Sequence, residues 1–160
     1  MTNARSSRVA GILMIFAMVP LLAMGFRSGG RSRDRVRAAH HWADKTVWDS
    51  VYTTAQAGRG ETAYAKTCGR CHGATLGGGD ESPALTGGNF LGNWNGLPLS
   101  DLQKRVKTTM PSDSVGIYDL QLVTDVMAFI LKVNGFPAGQ LELPKDADSL
   151  KAIMMQTSRK

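Results

Sequence analysis

Cys68-Gly69-Arg70-Cys71-His72 is the stretch on which the reading of this chain turns. Two cysteines three apart on a helical turn can each form a thioether to one of two adjacent vinyl groups. The next residue, His72, then projects toward the iron as a proximal ligand, which is the spacing that attaches c-type haem. Two rival uses of the pentad have weaker support. A dithiol redox motif expects a βαβ context, and the chain shows no alternating strand pattern. A zinc site needs a fourth ligand, and the only other histidines are His40 and His41.

Outward from the pentad the pattern is helical. Upstream, Thr53-Thr54-Ala55-Gln56 offers a capping box for a helix running to Cys68. Ala57, Gly60, Tyr64 and Cys68 recur at spacings of three and four, which is one helical face. A glycine at position 60 costs helix stability, so close packing against another backbone selects it. Downstream, residues 69–96 hold nine of the 18 glycines and no periodic pattern, so they read as loop. Glycines with few large apolar residues cannot build a core, but they can fold around a flat apolar cofactor that supplies one.

Ser100-Asp101-Leu102-Gln103 offers a second capping box, for a short helix that ends before Pro111. Asp119 caps a third helix over Leu120 to Val133, closed by Asn134-Gly135 and Pro137. A last amphipathic segment spans Asp146 to Met155. The expected fold is all-α, with three to five helices wrapped around one covalently attached haem.

Eight methionines compete to be the sixth ligand. Met1, Met14, Met18 and Met24 lie in an apolar N-terminal segment, and Met154 and Met155 lie near the C-terminus. Met127 sits inside the third helix, where a methionine usually fills core. Met110 stands in a loop, held extended by Pro111, 38 residues after His72. It is the candidate ligand.

Length and charge bound the rest. One hundred and sixty residues support one domain with a tail or anchor. Two cysteines exclude a disulfide-dense scaffold and any four-cysteine metal site. The net charge of +6 is confined to the N-terminal residues, since 38–160 carry 12 basic and 12 acidic side chains. A neutral body has no general footprint for nucleic acid.

Val9 to Phe26 is an uncharged run of 18 residues behind Arg5 and Arg8, the order of a secretory signal. Its length also suffices for an uncleaved membrane anchor. Five arginines between Arg27 and Arg37 oppose export under the positive-inside rule, but the haem chemistry calls for an exported domain. The expected organisation is a signal or anchor over 1–25, an arginine-rich tether over 26–49 and a haem domain over 50–160. The expected location is periplasmic or otherwise extracytoplasmic, soluble after cleavage or anchored through Val9–Phe26.

Over roughly residues 50–155 the chain resembles the class I mono-haem cytochromes c. Within them it looks most like the small bacterial cytochromes that accompany pyrroloquinoline-quinone dehydrogenases. The residues that carry the likeness are Tyr52 to Gly60, the pentad with Gly73, Ser82-Pro83-Ala84-Leu85, Thr109-Met110-Pro111 and Asp125 to Phe129. The resemblance implies His72 and Met110 as the axial pair, with the Pro83 carbonyl accepting the ring N–H of His72. It also implies that Gly60 and Tyr64 form the face crossed by the third helix through Ala128 and Phe129. Members commonly show Asn-Pro-Gly after the Met-Pro pair. Here Ser114-Val115-Gly116 stands in that place, a departure that bears on the rigidity of the methionine loop.

Around the haem, Trp94 is a candidate wall residue whose ring N–H reaches a propionate, or else a packing tryptophan. Arg105 is a candidate propionate partner, or else a solvated helix charge. Lys66, Arg70, Lys104 and Lys107 are candidates for a docking ring around the haem edge.

The leading functional expectation is an electron carrier and not an enzyme. Six-coordinate iron leaves no open site for substrate, and a Met/His pair raises the potential relative to bis-His ligation. Its partners would be a dehydrogenase donor and an oxidase or another cytochrome as acceptor. Two alternatives stand beside it. One is a haem enzyme or gas sensor in which Met110 is not a stable ligand. The other is an anchored cytochrome subunit of a dehydrogenase or oxidase complex.

Overall fold

Thr53 takes an extended backbone and its hydroxyl oxygen accepts the Gln56 N–H at 3.0 Å, which starts α1, Thr54–Thr67. The computed structural model describes residues 41–80 and 82–159. After α1 come α2 (Gly69–His72), α3 (Gly87–Trp94), α4 (Leu99–Thr109), α5 (Leu120–Val133) and α6 (Ala147–Lys151). Two short strands, β1 (Lys45–Thr46) and β2 (Ile153–Met154), pair in parallel with Lys45 opposite Ile153. The fold is all-α, as expected, apart from this seam.

α5 is the centre of the core. Every residue from Val123 to Leu131 is buried, polar Thr124 and Asp125 included. Asp119 caps its start by accepting the Leu122 N–H at 2.8 Å. At its end Gly135, at φ +83°, takes the left-handed turn that releases the chain toward Pro137. α1 crosses α5 at Gly60. A Cβ there would stand 1.8 Å from the Asp125 carbonyl oxygen and 3.0 Å from Phe129 Cβ, so only glycine admits this approach. Four residues on, the Tyr64 and Phe129 rings tilt together with centroids 5.4 Å apart. The close contact therefore falls on Asp125 and Phe129 rather than on Ala128, which is fully buried beside them.

Four expectations need correction. Residues 69–96 are not all loop, because they contain α2 and α3. The N-cap of α4 is Pro98, two residues earlier than a Ser100 cap would place it. Neither glutamine of the two capping boxes closes its box. The Gln56 amide instead donates to the Leu143 carbonyl at 3.0 Å and accepts the Leu143 N–H at 2.7 Å. Gln103 reaches Thr124 Oγ1 and the Lys145 carbonyl. Each amide is buried, and a paired long-range contact satisfies it better than a local one.

The fourth correction concerns the ends of the body. The amphipathic segment 146–155 is α6 followed by β2, and it packs back on the body through buried Leu150, Ile153 and Met155. Trp42 and Val47, expected in the tether, are buried in the core, so packing begins well before residue 50. The 1–25 segment and the tether up to residue 40 lie outside the described residues. Among the described residues no helix is long and apolar enough to cross a membrane.

Candidate haem-binding site

α1 hands its last turn directly to the pentad. The Cys68 N–H donates to the Tyr64 carbonyl at 3.0 Å. The Cys68 carbonyl then accepts the N–H of Cys71 at 3.1 Å and of His72 at 3.0 Å. The two sulfurs therefore stand one helical turn apart, and both cysteines are free, Cys68 half-buried and Cys71 exposed. Burial pushes the Cys68 thiol up from its ordinary pKa, with the Cys71 charge adding to it and a Thr67 hydrogen bond opposing it. A redox dithiol needs the opposite shift.

Behind the pentad the chain folds back on itself. Gly73, at φ +76°, turns it, and the Tyr64 hydroxyl holds that turn by donating to the Gly73 carbonyl at 2.7 Å. Gly78 donates its N–H to the His72 carbonyl at 2.9 Å, and Gly79 donates to Ser82 at 2.9 Å. A Cβ on Gly78 would meet Ser82 O at 2.6 Å and Ala84 N at 2.7 Å, so this glycine lets the 82–84 segment lie against the turn. That brings the Pro83 carbonyl to 2.8 Å from His72 Nδ1. A carbonyl only accepts, so Nδ1 carries the ring proton and Nε2 keeps its lone pair for a metal.

Met110 is half-buried in an extended conformation (φ −123°, ψ 149°) directly after α4, and its N–H still donates to Val106 at 2.9 Å. The peptide to Pro111 is cis. The loop beyond it closes on Met110 itself, because the Gly116 N–H donates to the Met110 carbonyl at 3.1 Å. An ion pair between Arg70 and Asp113 joins this loop to α2, so the fold brings together segments about forty positions apart. Ser114 and Arg70 together hold the Asp113 carboxyl below its ordinary pKa, and Asp113 does the reverse for Arg70. Met127, by contrast, is buried within α5.

The other candidates are sorted by their surroundings. Trp94 ends α3 half-buried, its ring 6.3 Å from that of Phe90. Arg105 stands exposed on α4 with no ion pair among the described residues. Of the proposed docking charges, Lys66 and Lys104 are exposed, whereas Arg70 is taken by Asp113. Lys107 is turned inward onto two carbonyls, those of Gly116 at 2.8 Å and of Tyr118. The sequence placed Tyr64 on the helix-crossing face and Lys107 in the docking ring, but not their hydrogen bonds, because the partners are backbone carbonyls, which every residue offers.

The donor set fits haem c. Two free thiols one turn apart are followed by an imidazole whose Nδ1 is already engaged. Among the described residues no cluster of three His, Cys, Asp or Glu side chains could hold a bare metal ion.

Residues 55–130, which include the pentad and Met110, match the family model described as "Cytochrome C oxidase, cbb3-type, subunit III". Among solved structures the chain is similar to one described as the sulfane dehydrogenase SoxCD from Paracoccus pantotrophus. That match has 23% identity and a TM-score of 0.41, and covers 55% of this chain and 52% of that one. The chain thus spans about half the length of the solved structure it matches. No curated protein matches. The helices around the pentad are similar to a c-type cytochrome domain, and the cofactor that the match and the donor set imply is covalently bound haem c.

Proposed function

We propose that the protein is a one-electron carrier, and not itself an enzyme, that works outside the cytoplasm on a haem ligated by His72 and Met110. The cofactor, when bound, supplies a reversible ferrous–ferric couple. The chain's residues supply the rest. Cys68 and Cys71 hold the haem as thioethers, and His72 ligates through Nε2. Pro83 would fix the imidazole's orientation, and Met110 would supply the second protein ligand. A thioether is neutral and soft, so it favours ferrous iron and raises the potential. Trp94 and Arg105 remain candidates for the propionates.

The observation that supports this reading best is the 2.8 Å contact from His72 Nδ1 to Pro83, which leaves the Nε2 lone pair available to a metal beside two free thiols. The donor would be a dehydrogenase, of the quinoprotein kind if the motif likeness extends to partners, and the acceptor an oxidase or another cytochrome. A second reading, a subunit fixed in a membrane oxidase or dehydrogenase complex, is favoured by the matched family's description as an oxidase subunit and by the apolar run Val9–Phe26.

Acid–acetone extraction tests the central assignment. The colour is expected to stay with the polypeptide and to be lost from a Cys68→Ala, Cys71→Ala double variant. Colour that leaves with the solvent from the native protein sinks the reading. Intact mass of the exported protein then separates the two settings: a mature N-terminus near Phe26 removes the anchored one.

A further inference from the structure

Lys107 occupies a place that none of the haem-binding assignments uses. It lies in the last turn of α4, three residues before Met110, and its ammonium donates to the Gly116 carbonyl at 2.8 Å and to the Tyr118 carbonyl. The same residue meets the loop a second time through its backbone. Gly116 sits at φ +77°, and a Cβ there would come within 3.2 Å of the Lys107 carbonyl oxygen. Meanwhile the Gly116 N–H is spent on the Met110 carbonyl. Gly116 is therefore held from both ends of its peptide, by Lys107 on one side and Met110 on the other.

Beyond these the loop has two local backbone bonds, from the Ser114 N–H to Pro111 at 3.1 Å and from the Ile117 N–H to Ser114 at 3.4 Å, and the half-buried Tyr118 packs against the core. Val115 and Ile117 are 53% and 60% exposed, so these two apolar side chains do not anchor the stretch around Gly116. The Arg70–Asp113 pair is exposed on both sides, and such pairs contribute little. A hydrogen bond from a charged donor to a carbonyl is stronger than a neutral one, and Lys107 makes two on a half-buried stem.

We propose that Lys107 is the positioning residue of the methionine loop, clamping Gly116 and Tyr118 so that Met110 stays at the iron. The clamp stands in for the rigidity that Asn-Pro-Gly would give and Ser114-Val115-Gly116 does not. Its effect is on how often the sixth position opens, not on the chemistry of the iron. The inference rests on the reading of Met110 as axial ligand.

The test uses the full-length holoprotein with cyanide as the probe of an open sixth position. Lys107→Met keeps the apolar stem and removes the ammonium. It is expected to bind cyanide at least about tenfold faster than the native protein, the size of a lost charged hydrogen bond. Lys107→Arg, which keeps the donor, is expected to restore most of the slow rate. Met110→Ala serves as the reference for a fully open site. If Met110→Ala binds cyanide quickly and Lys107→Met binds it at the native rate, the clamp is wrong and the ligand assignment stands. If Met110→Ala is as slow as the native protein, both fall. Should Lys107→Met fail to fold, acetylation of the native holoprotein decides. Lys107 is expected to react at least about tenfold more slowly than exposed Lys104. Equal rates overturn the clamp.

Discussion

At the scale of single residues the site is assembled from atoms with one role each. Replacing Met110 by Ala should open the sixth position, lower the potential and abolish the weak sulfur-to-iron charge-transfer band at the red end of the oxidised spectrum. A band that survives in Met110→Ala and vanishes in Met127→Ala would move the ligand into α5, against the burial of Met127 there. Tyr64 permits a pH experiment. Burial, and secondarily the Cys68 charge, pushes its phenol up to about 12, and its hydroxyl donates to the Gly73 carbonyl. A phenol raised in the fold ionises more readily once unfolded. Its contribution is therefore complete below the ordinary tyrosine value, near 10, and is lost as the pH rises toward 12. Denaturant titrations of the holoprotein between those limits should show stability falling, and Tyr64→Phe should flatten that part of the profile. In the thioether-linked protein Cys68 carries no charge, so burial alone sets the shift.

At the scale of elements, backbone approach matters more than side-chain choice. Gly60→Ala should destabilise the holoprotein by about 3 kcal/mol or more, the upper end for overpacking, because the clash at 1.8 Å is with the Asp125 carbonyl and not a movable side chain. A melting temperature equal to that of Gly58→Ala, whose added Cβ meets nothing within 4 Å, would contradict this. The elements also differ in how clearly they are written in the chain. α5 was legible end to end, since Asp119 marks its start and Asn134-Gly135 its stop. α3 was not, because Gly87, Gly88, Gly92 and two asparagines make its sequence a poor helix former, and packing of buried Phe90 overrides that propensity. The pentad announced its own turn through spacing alone. The Ser100–Gln103 box suggested by the sequence does not cap α4, because Gln103 serves a carbonyl 42 positions away.

At the scale of the whole molecule, the described body is closed by a seam that joins its two ends. Residues 153–155 lie between two other segments: Val47 donates to Met154 at 3.0 Å, while Met155 exchanges hydrogen bonds with Gly96 and Leu97 at 2.8 and 2.9 Å. Ile153 and Met155 are buried there, along with Val47 and Trp42. None of this was legible, because two residues on each side are too few for an alternating pattern to show. The seam has a kinetic consequence. Its partners are separated by roughly a hundred residues of chain, so closing it carries a loop entropy that the helical turns avoid. Refolding should therefore end at the seam, with the Val47 and Met155 amides gaining protection from hydrogen exchange after those of α5 in a pulse-labelling experiment. Simultaneous protection would mean that the ends are already together when α1 meets α5. None of the seam's hydrogen bonds involves the turn bearing Cys68 and Cys71, and Cys71 is exposed in the closed fold, so that turn can be reached from outside both before and after the last step.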